Sequence, residues 1–481
     1  MSKRAGIATK LWTQVGTRFL PFADAATPEL PLGRLLRLSL FQVSVGMAIV
    51  LLIGTLNRVM IVELGVPAWL VAVMVSLPLV FAPCRAIVGY RSDTHTSLLG
   101  WKRVPYLWFG TLLQFGGFAI MPFALIVLSG DTNGPRLYGE IGASLAFLLV
   151  GAGLHTTQTV GLALATDLAP RASQPRVVAL LCAMLLLGMV ASALLFGALL
   201  SPFSEIRLIQ VVQGAALLTM VINTVALWKQ EPRDTDRTAP GVRPGLLQSL
   251  AGFVQLGNRA QSGRRTLRGL VALGLGTIAF SMQDILLEPY GGQILHLTVG
   301  ATTALTAALA LGGIGGFVLA ARRLARGANA YRVAAAGALV GLLAFACVIF
   351  AAPLASVPLF ALGVLLIGLG GGLFGHSTLT VAIALAPRGQ IGLALGVWGA
   401  VQASAAGSAV AAGGLLRDAA GYLAAHGALG EALADPQVGY SVVYHLEIAL
   451  LFATLIAIGP LVRATSGART PNATLAPLTA R

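Results

Sequence analysis

LLVGAGLHTTQTVGLALATDLAPR, residues 148–171, has a counterpart later in the chain: LLIGLGGGLFGHSTLTVAIALAPR, residues 365–388. LLVGAG matches LLIGLG and LAPR matches LAPR, both at an offset of 217 residues. Two matches at one offset point to an internal duplication. Composition says what kind of unit was duplicated. The chain is 57% hydrophobic and only 10% charged, with mean hydropathy +0.84, whereas soluble domains carry about 25% charged residues. It is therefore read as an integral membrane protein. Ala, Leu and Gly abound and strand-like alternation is weak, so the spans are helices rather than barrel strands.

Uncharged runs of spanning length recur near 38–62, 68–90, 104–129, 140–166, 176–200, 206–228, 268–289, 299–320, 332–352, 357–385, 391–416 and 440–462. These twelve place both chain ends on one side. The odd-numbered connections hold only Arg136, Arg207 and Arg417, and Arg58 lies within a span. The other 28 of the 32 Lys and Arg sit on the termini, the remaining connections and the span end at Arg85. That asymmetry predicts cytoplasmic termini and a cytoplasmic long loop. The net charge of +15 then reflects topology and attraction to anionic lipid headgroups, not nucleic-acid binding. The expected organisation is a cytoplasmic arm over 1–35, six-helix bundles over 36–229 and 267–463, a linker over 230–266 and a tail over 464–481. The repeated stretches fall in spans 4 and 10, which makes the halves parallel repeats: an all-α membrane protein on the major facilitator plan.

Several polar features interrupt this apolar frame. The first thirty residues lack a continuous apolar core, so no cleavable signal is expected. Ile7, Leu11, Val15 and Phe19 recur every four residues and suit a helix in the headgroup layer; Leu246–Leu256 in the long loop offers a weaker apolar face. Cys84, Cys182 and Cys347 are far apart in apolar runs, as buried packers would be. The second cytoplasmic connection, GYRSDTHTSLLGWKR, carries Gly89, Asp93, Gly100, Lys102 and Arg103. It is similar to the facilitator loop G-x-x-x-D-R-x-G-R-R, with inserted residues and Thr94 where the first arginine belongs. Gly89, Asp93, Lys102 and Arg103 form a candidate latch that biases one state of a rocking bundle.

Arg58, in LNRVMIVELG (56–65), lies about 30 Å into the first span at a 1.5 Å rise. A lone charge there costs at least ~2.5–3.5 kcal/mol, so a partner is expected. Aligning LNRVMIVEL with MQDILLEPY sets Arg58 opposite Asp284, with Glu288 one turn further on. An Arg58–Asp284 or Arg58–Glu288 pair would act as a staple, a gate or a headgroup anchor; snorkelling of Arg58 to the surface is the alternative. His155, with Gln158 beside it in span 4, and His376 in span 10 can ligate a metal centre, including chlorin magnesium, or hydrogen-bond a neighbouring helix. His445 beside Glu447 reads as an ordinary polar contact, and His95, His296 and His426 as solvated. Pro78 and Pro83 should kink span 2. No Walker loop, nucleophile elbow or metal-binding Cys/His cluster is present, so neither ATP-driven transport nor hydrolytic chemistry is indicated.

LNRVMIVELGVPAW, GYRSDTHTSLLGWKRVPY, MQDILLEPYGG and the two LAPR turns together resemble the PucC/LhaA family, the bacteriochlorophyll delivery family of phototrophic bacteria, over about Leu32 to Val462. The sequence looks closer to the LhaA type, associated with the core antenna ring. The resemblance implies a non-enzymatic assembly factor, a chaperone of the inner photosynthetic membrane. It would deliver bacteriochlorophyll to light-harvesting polypeptides and contact the reaction centre–core antenna complex, membrane lipids and pigment-synthesis enzymes, but no nucleic acid. Under it, His155, Gln158 and His376 become pigment-contact candidates. Two other readings stand beside it: a secondary transporter using Arg58, Asp284 and Glu288, and a protein that organises the antenna ring without touching pigment.

Overall fold

The computed structural model describes residues 30–80, 85, 88, 91–92, 97, 100–130, 134–170, 173–232, 263–385, 391–435 and 437–467. The two expected interfacial segments, and Cys84, Pro83, Gly89, Asp93 and His95, lie outside them. In lipid every backbone polar group must be satisfied within the segment, and the described residues are helical with no strand. The helices are α1 Leu32–Ile49, continued by π-helical turns at Val50–Leu56 and Val59–Glu63, α2 Ala68–Val80, α3 Val104–Ser129, α4 Arg136–Leu168, α5 Gln174–Leu199 and α6 Glu205–Leu227. The second half has α7 Gly263–Ser281, continued through a 3-10 turn at Met282–Ile285 into Leu287–Gln293, α8 Val299–Ala325, α9 Ala330–Ala351, α10 Val357–Leu385, α11 Ile391–Ala425 and α12 Val438–Gly467. Eleven are long and apolar enough to cross a bilayer; α2 is the described part of the twelfth run, and Arg85, Val88, Arg91 and Ser92 beyond it are also helical. Below, the near face is the one from which α1 enters, and the far face is opposite.

Helix ends follow local chemistry. Ser204, Thr298 and Asn329 cap α6, α8 and α9 with side-chain oxygens, and Gly130, at φ 86°, ends α3. Several helices outrun the sequence expectation, α4 and α11 among them. α4 begins at Arg136, which pairs with Glu140 one turn on. α11 runs on to Ala425 because its charges are satisfied: Arg417 bonds Asp418 at 2.6 Å and Gln293 at 2.7 Å.

The repeat is visible in the packing. Gly151 of α4 lies against Pro78 of α2, and Gly368 of α10 against the Leu309 carbonyl of α8. Gly153 meets the Gly110 carbonyl of α3, and Gly370 the Gly337 carbonyl of α9. Each glycine of LLVGAG thus performs in its half what its counterpart in LLIGLG performs in the other, a close helix approach that only a missing side chain permits. The halves meet along α2–α11 and α5–α8. On the first seam the Trp69 amide donates to Asp418 at 2.7 Å, and Gly414 abuts Ala68 and Ala72. On the second, Gly197 packs on Gly300. Large apolar side chains such as Ile206, Phe452 and Ile456 point outward, as lipid contact demands. Cys182 and Cys347 are free thiols.

Candidate functional site

The two irregular stretches of backbone meet. α1 leaves α-helical winding at Val50, and α7 leaves it at Met282. Asn57 ties them together: its Nδ2 donates to the Ile53 carbonyl at 2.9 Å and to the Ile285 carbonyl at 2.8 Å. Backbone of this kind persists within a membrane only where protein groups satisfy it. Thr55 of α1 and Thr303 of α8 lie 3.3 Å apart as hydroxyl partners. Glu288 accepts from Thr306 of α8, and its Oε1 occupies the space beside Gly54 of α1. Asn57→Leu strips the Ile285 carbonyl of its donor and is expected to cost about 1–3 kcal/mol. A shift of the denaturant midpoint in detergent reads this; an unchanged midpoint would remove Asn57 from the seam.

The expected Arg58 pair is corrected. Arg58 is 4% exposed, so it does not snorkel. Its Nη1 bonds the carboxylate of Glu63, five residues on in the same span, and its Nη2 donates to the Leu297 carbonyl at 3.1 Å. Asp284 accepts from Gln283 at 2.6 Å, and Glu288 is engaged by Thr306; neither forms an ion pair with Arg58. The reason lies in helix winding. A π-helix closes i→i+5 bonds, and the Leu64 amide reaches the Val59 carbonyl in that manner, so side chains five apart come onto one face. Arg58 still touches α7: its guanidinium lies 3.1 Å from where a Cβ of Gly292 would stand, one turn beyond Glu288. Arg58, Asp284 and Glu288 therefore share a seam without forming the predicted bridge.

Glu447 is also corrected. It is 0% exposed, and its carboxyl lies against the Gln283 backbone and Asp284. His445 points elsewhere, its Nδ1 donating to the Ser441 carbonyl at 2.7 Å on the exposed side. The residues beside one another in sequence occupy opposite faces. His296 and His426 are exposed, as expected.

His155 and His376 sit in different halves with different surroundings. His376 packs on Phe317 of α8, ring centroids 4.3 Å apart. His155 lies within electrostatic reach of Arg85. Gln158 is engaged: Arg85 donates to its Oε1 at 3.0 Å and to the Thr159 hydroxyl at 3.0 Å. Nδ1 of each histidine is buried without a partner. A metal-ligating imidazole ordinarily donates its other N–H to an acceptor. The arrangement therefore suits donation to a ligand carbonyl at least as well as magnesium ligation. Among the described residues no three His, Cys, Asp or Glu converge as a metal site.

Of the latch, Lys102 and Arg103 are described. Arg103 Nε meets Asp167 of α4 at 2.7 Å and its Nη1 meets Ser92 at 2.9 Å; Lys102 lies 3.7 Å from Asp167. Glu231, just past α6, accepts the amides of Lys102, Arg103 and Val104 at 2.9–3.0 Å, neutralising the N-terminus of α3. These bonds join residues of the first half and, through Glu231, the start of the linker. Sequence reading missed Asp167 and Glu231 because each is an unremarkable acid at a span end.

Two six-helix halves with interrupted first and seventh spans define a multi-pass membrane protein of the major facilitator fold. The fold of a bacterial homologue of the human lysosomal transporter Spinster, in its inward-facing unoccupied conformation, matches with TM-score 0.65 at 15% identity, covering 94% of this chain and 100% of that one. The chain belongs to the PucC family: the family model described as PUCC protein matches residues 55–466. Protein PucC of Rhodovulum sulfidophilum is 56% identical over 422 residues, 87% of this chain and 92% of that protein. An uncharacterised protein of the puhA-bchM intergenic region of Rhodobacter capsulatus is 56% identical over 454 residues, 92% of each.

Proposed function

We propose that the chain is an assembly factor of the bacterial photosynthetic inner membrane that shields bacteriochlorophyll and hands it to newly inserted antenna polypeptides, chiefly those of the core ring. It catalyses no covalent change. The observation that carries the reading is the PucC-family match across residues 55–466, almost the whole membrane region. The geometry is compatible with it. Arg58 is paired with Glu63 within its own span, and an assembly factor needs no ion pair between Arg58 and an acid of α7 as a transport gate. His155 and His376 each hold a ring nitrogen in reserve, and a pigment carbonyl or magnesium can use such a group. Both termini are assigned to the cytoplasm because 28 of the 32 Lys and Arg fall on that side. Antenna helices and the reaction centre–core complex would dock laterally, with pigment-synthesis enzymes upstream.

Deletion tests the reading. The expected result is loss of antenna absorbance with bacteriochlorophyll synthesis retained. A strain with normal antenna overturns it. So does solute flux in liposomes that Asp284→Asn or Glu288→Gln abolishes, which would favour a secondary transporter.

A further inference from the structure

Arg85 differs from the other deeply placed arginines. Arg58 has Glu63, Arg103 has Asp167 and Arg417 has Asp418. Among the described residues Arg85 has no carboxylate: its hydrogen-bond partners there are the neutral Thr159 hydroxyl and Gln158 amide oxygen, both on α4. Nε and one terminal nitrogen are used, while Nη1 makes no hydrogen bond among the described residues. Thr159 lies nine residues before the near-face end of α4 at Leu168, about 14 Å along the helix axis. A cation held at that depth without an anion is costly, and such a residue is retained where something brings the countercharge.

The surroundings are arranged for that role. Gln158 and Thr159 fix the guanidinium plane from one side. His155, one turn before Thr159 on the same face, lies within electrostatic reach of Arg85 and carries a buried Nδ1 with no partner. The guanidinium fork suits carboxylate and phosphate oxygens, and the imidazole supplies a second donor beside it. The geometry points to an oxyanion site built on Arg85 and His155, oriented by Gln158 and Thr159, which takes the carboxylate or phosphate of an amphiphilic ligand lodged in the first half. This goes beyond pigment handling, since an esterified chlorin presents no such oxyanion. Two sources share the chemistry: a chlorin that still carries its free propionic acid, and an anionic phospholipid.

The test uses the full-length purified protein in neutral detergent. One arm titrates a free-acid chlorin and its methyl ester; the other measures retention of phosphatidylglycerol against phosphatidylcholine. The wild type is expected to prefer one oxyanion probe at least tenfold over its uncharged or zwitterionic counterpart. Arg85→Gln is expected to abolish that preference. Preference in the chlorin arm identifies a carboxylate ligand, and preference in the lipid arm a lipid phosphate; either supports the site. A wild type with no preference in either arm overturns it, whether or not the variant folds, as does an Arg85→Gln protein that keeps the preference. The two readings fail separately. Ester and acid binding equally, with no preference in the lipid arm either, would leave pigment handling standing and remove the oxyanion site. Phosphatidylglycerol retention without chlorin binding would do the reverse.

Discussion

Glu63→Leu is expected to destabilise the bundle by about 3 kcal/mol, while Arg58→Leu changes its stability by less than about 1 kcal/mol. The asymmetry follows from exposure. The Arg58 side chain is 5% exposed and that of Glu63 36%. Without Glu63, a permanent charge is left in the interior with the Leu297 carbonyl as its hydrogen-bond partner, and breaking a buried pair from that side costs about 3–5 kcal/mol. Without Arg58, the glutamate reaches water. The double variant should recover most of the loss, because apolar replacement of both members of a buried pair is often neutral. Asp284→Asn combined with Arg58→Leu should be additive within about 0.5 kcal/mol. Denaturant midpoints of the five purified variants, Asp284→Asn alone among them, measure these values. Equal losses for the two single variants, or a double variant worse than Glu63→Leu, would return Arg58 to a partner on α7.

Gly368→Leu is expected to cost about 3 kcal/mol or prevent accumulation of folded protein altogether. A Cβ there would run into the Leu309 carbonyl and stand 2.9 Å from the Gly313 amide nitrogen, so α8 and α10 must separate. Gly312, Gly316 and Gly372 line the same contact, leaving no flexible side chain to yield. Gly375→Ala, on the same helix with nothing within 4 Å of its missing Cβ, should be neutral or slightly stabilising. The yield of monodisperse protein after heating reads both. A Gly368→Leu protein as stable as the Gly375→Ala control would contradict the close α8–α10 packing.

The fold was legible because membrane insertion imposes length, low charge and loop asymmetry on the sequence directly. The spans around Val104–Ser129 and Val299–Ala325 are read to within a few residues for that reason. The repeat was legible in Gly151 and Gly368, whose packing duties match across the halves. The site was less so. Repeat alignment correctly brought Arg58 to α7 but assumed ordinary helical winding, under which Glu63 faces away; nothing in VMIVE announces π-helical turns. Arg85 was counted as a topology charge because its neutral partners on α4 are distant in sequence. Glu447 was read from its neighbour His445, although successive residues on a helix point in different directions.

We propose that this bundle carries pigment to antenna polypeptides. The most direct measurement is the absorption spectrum of the gently solubilised full-length protein, recorded together with the polypeptides that co-elute. The account predicts a bacteriochlorophyll band eluting with the protein, accompanied by antenna subunits. A colourless protein that elutes without antenna polypeptides, from cells still making bacteriochlorophyll, would contradict it.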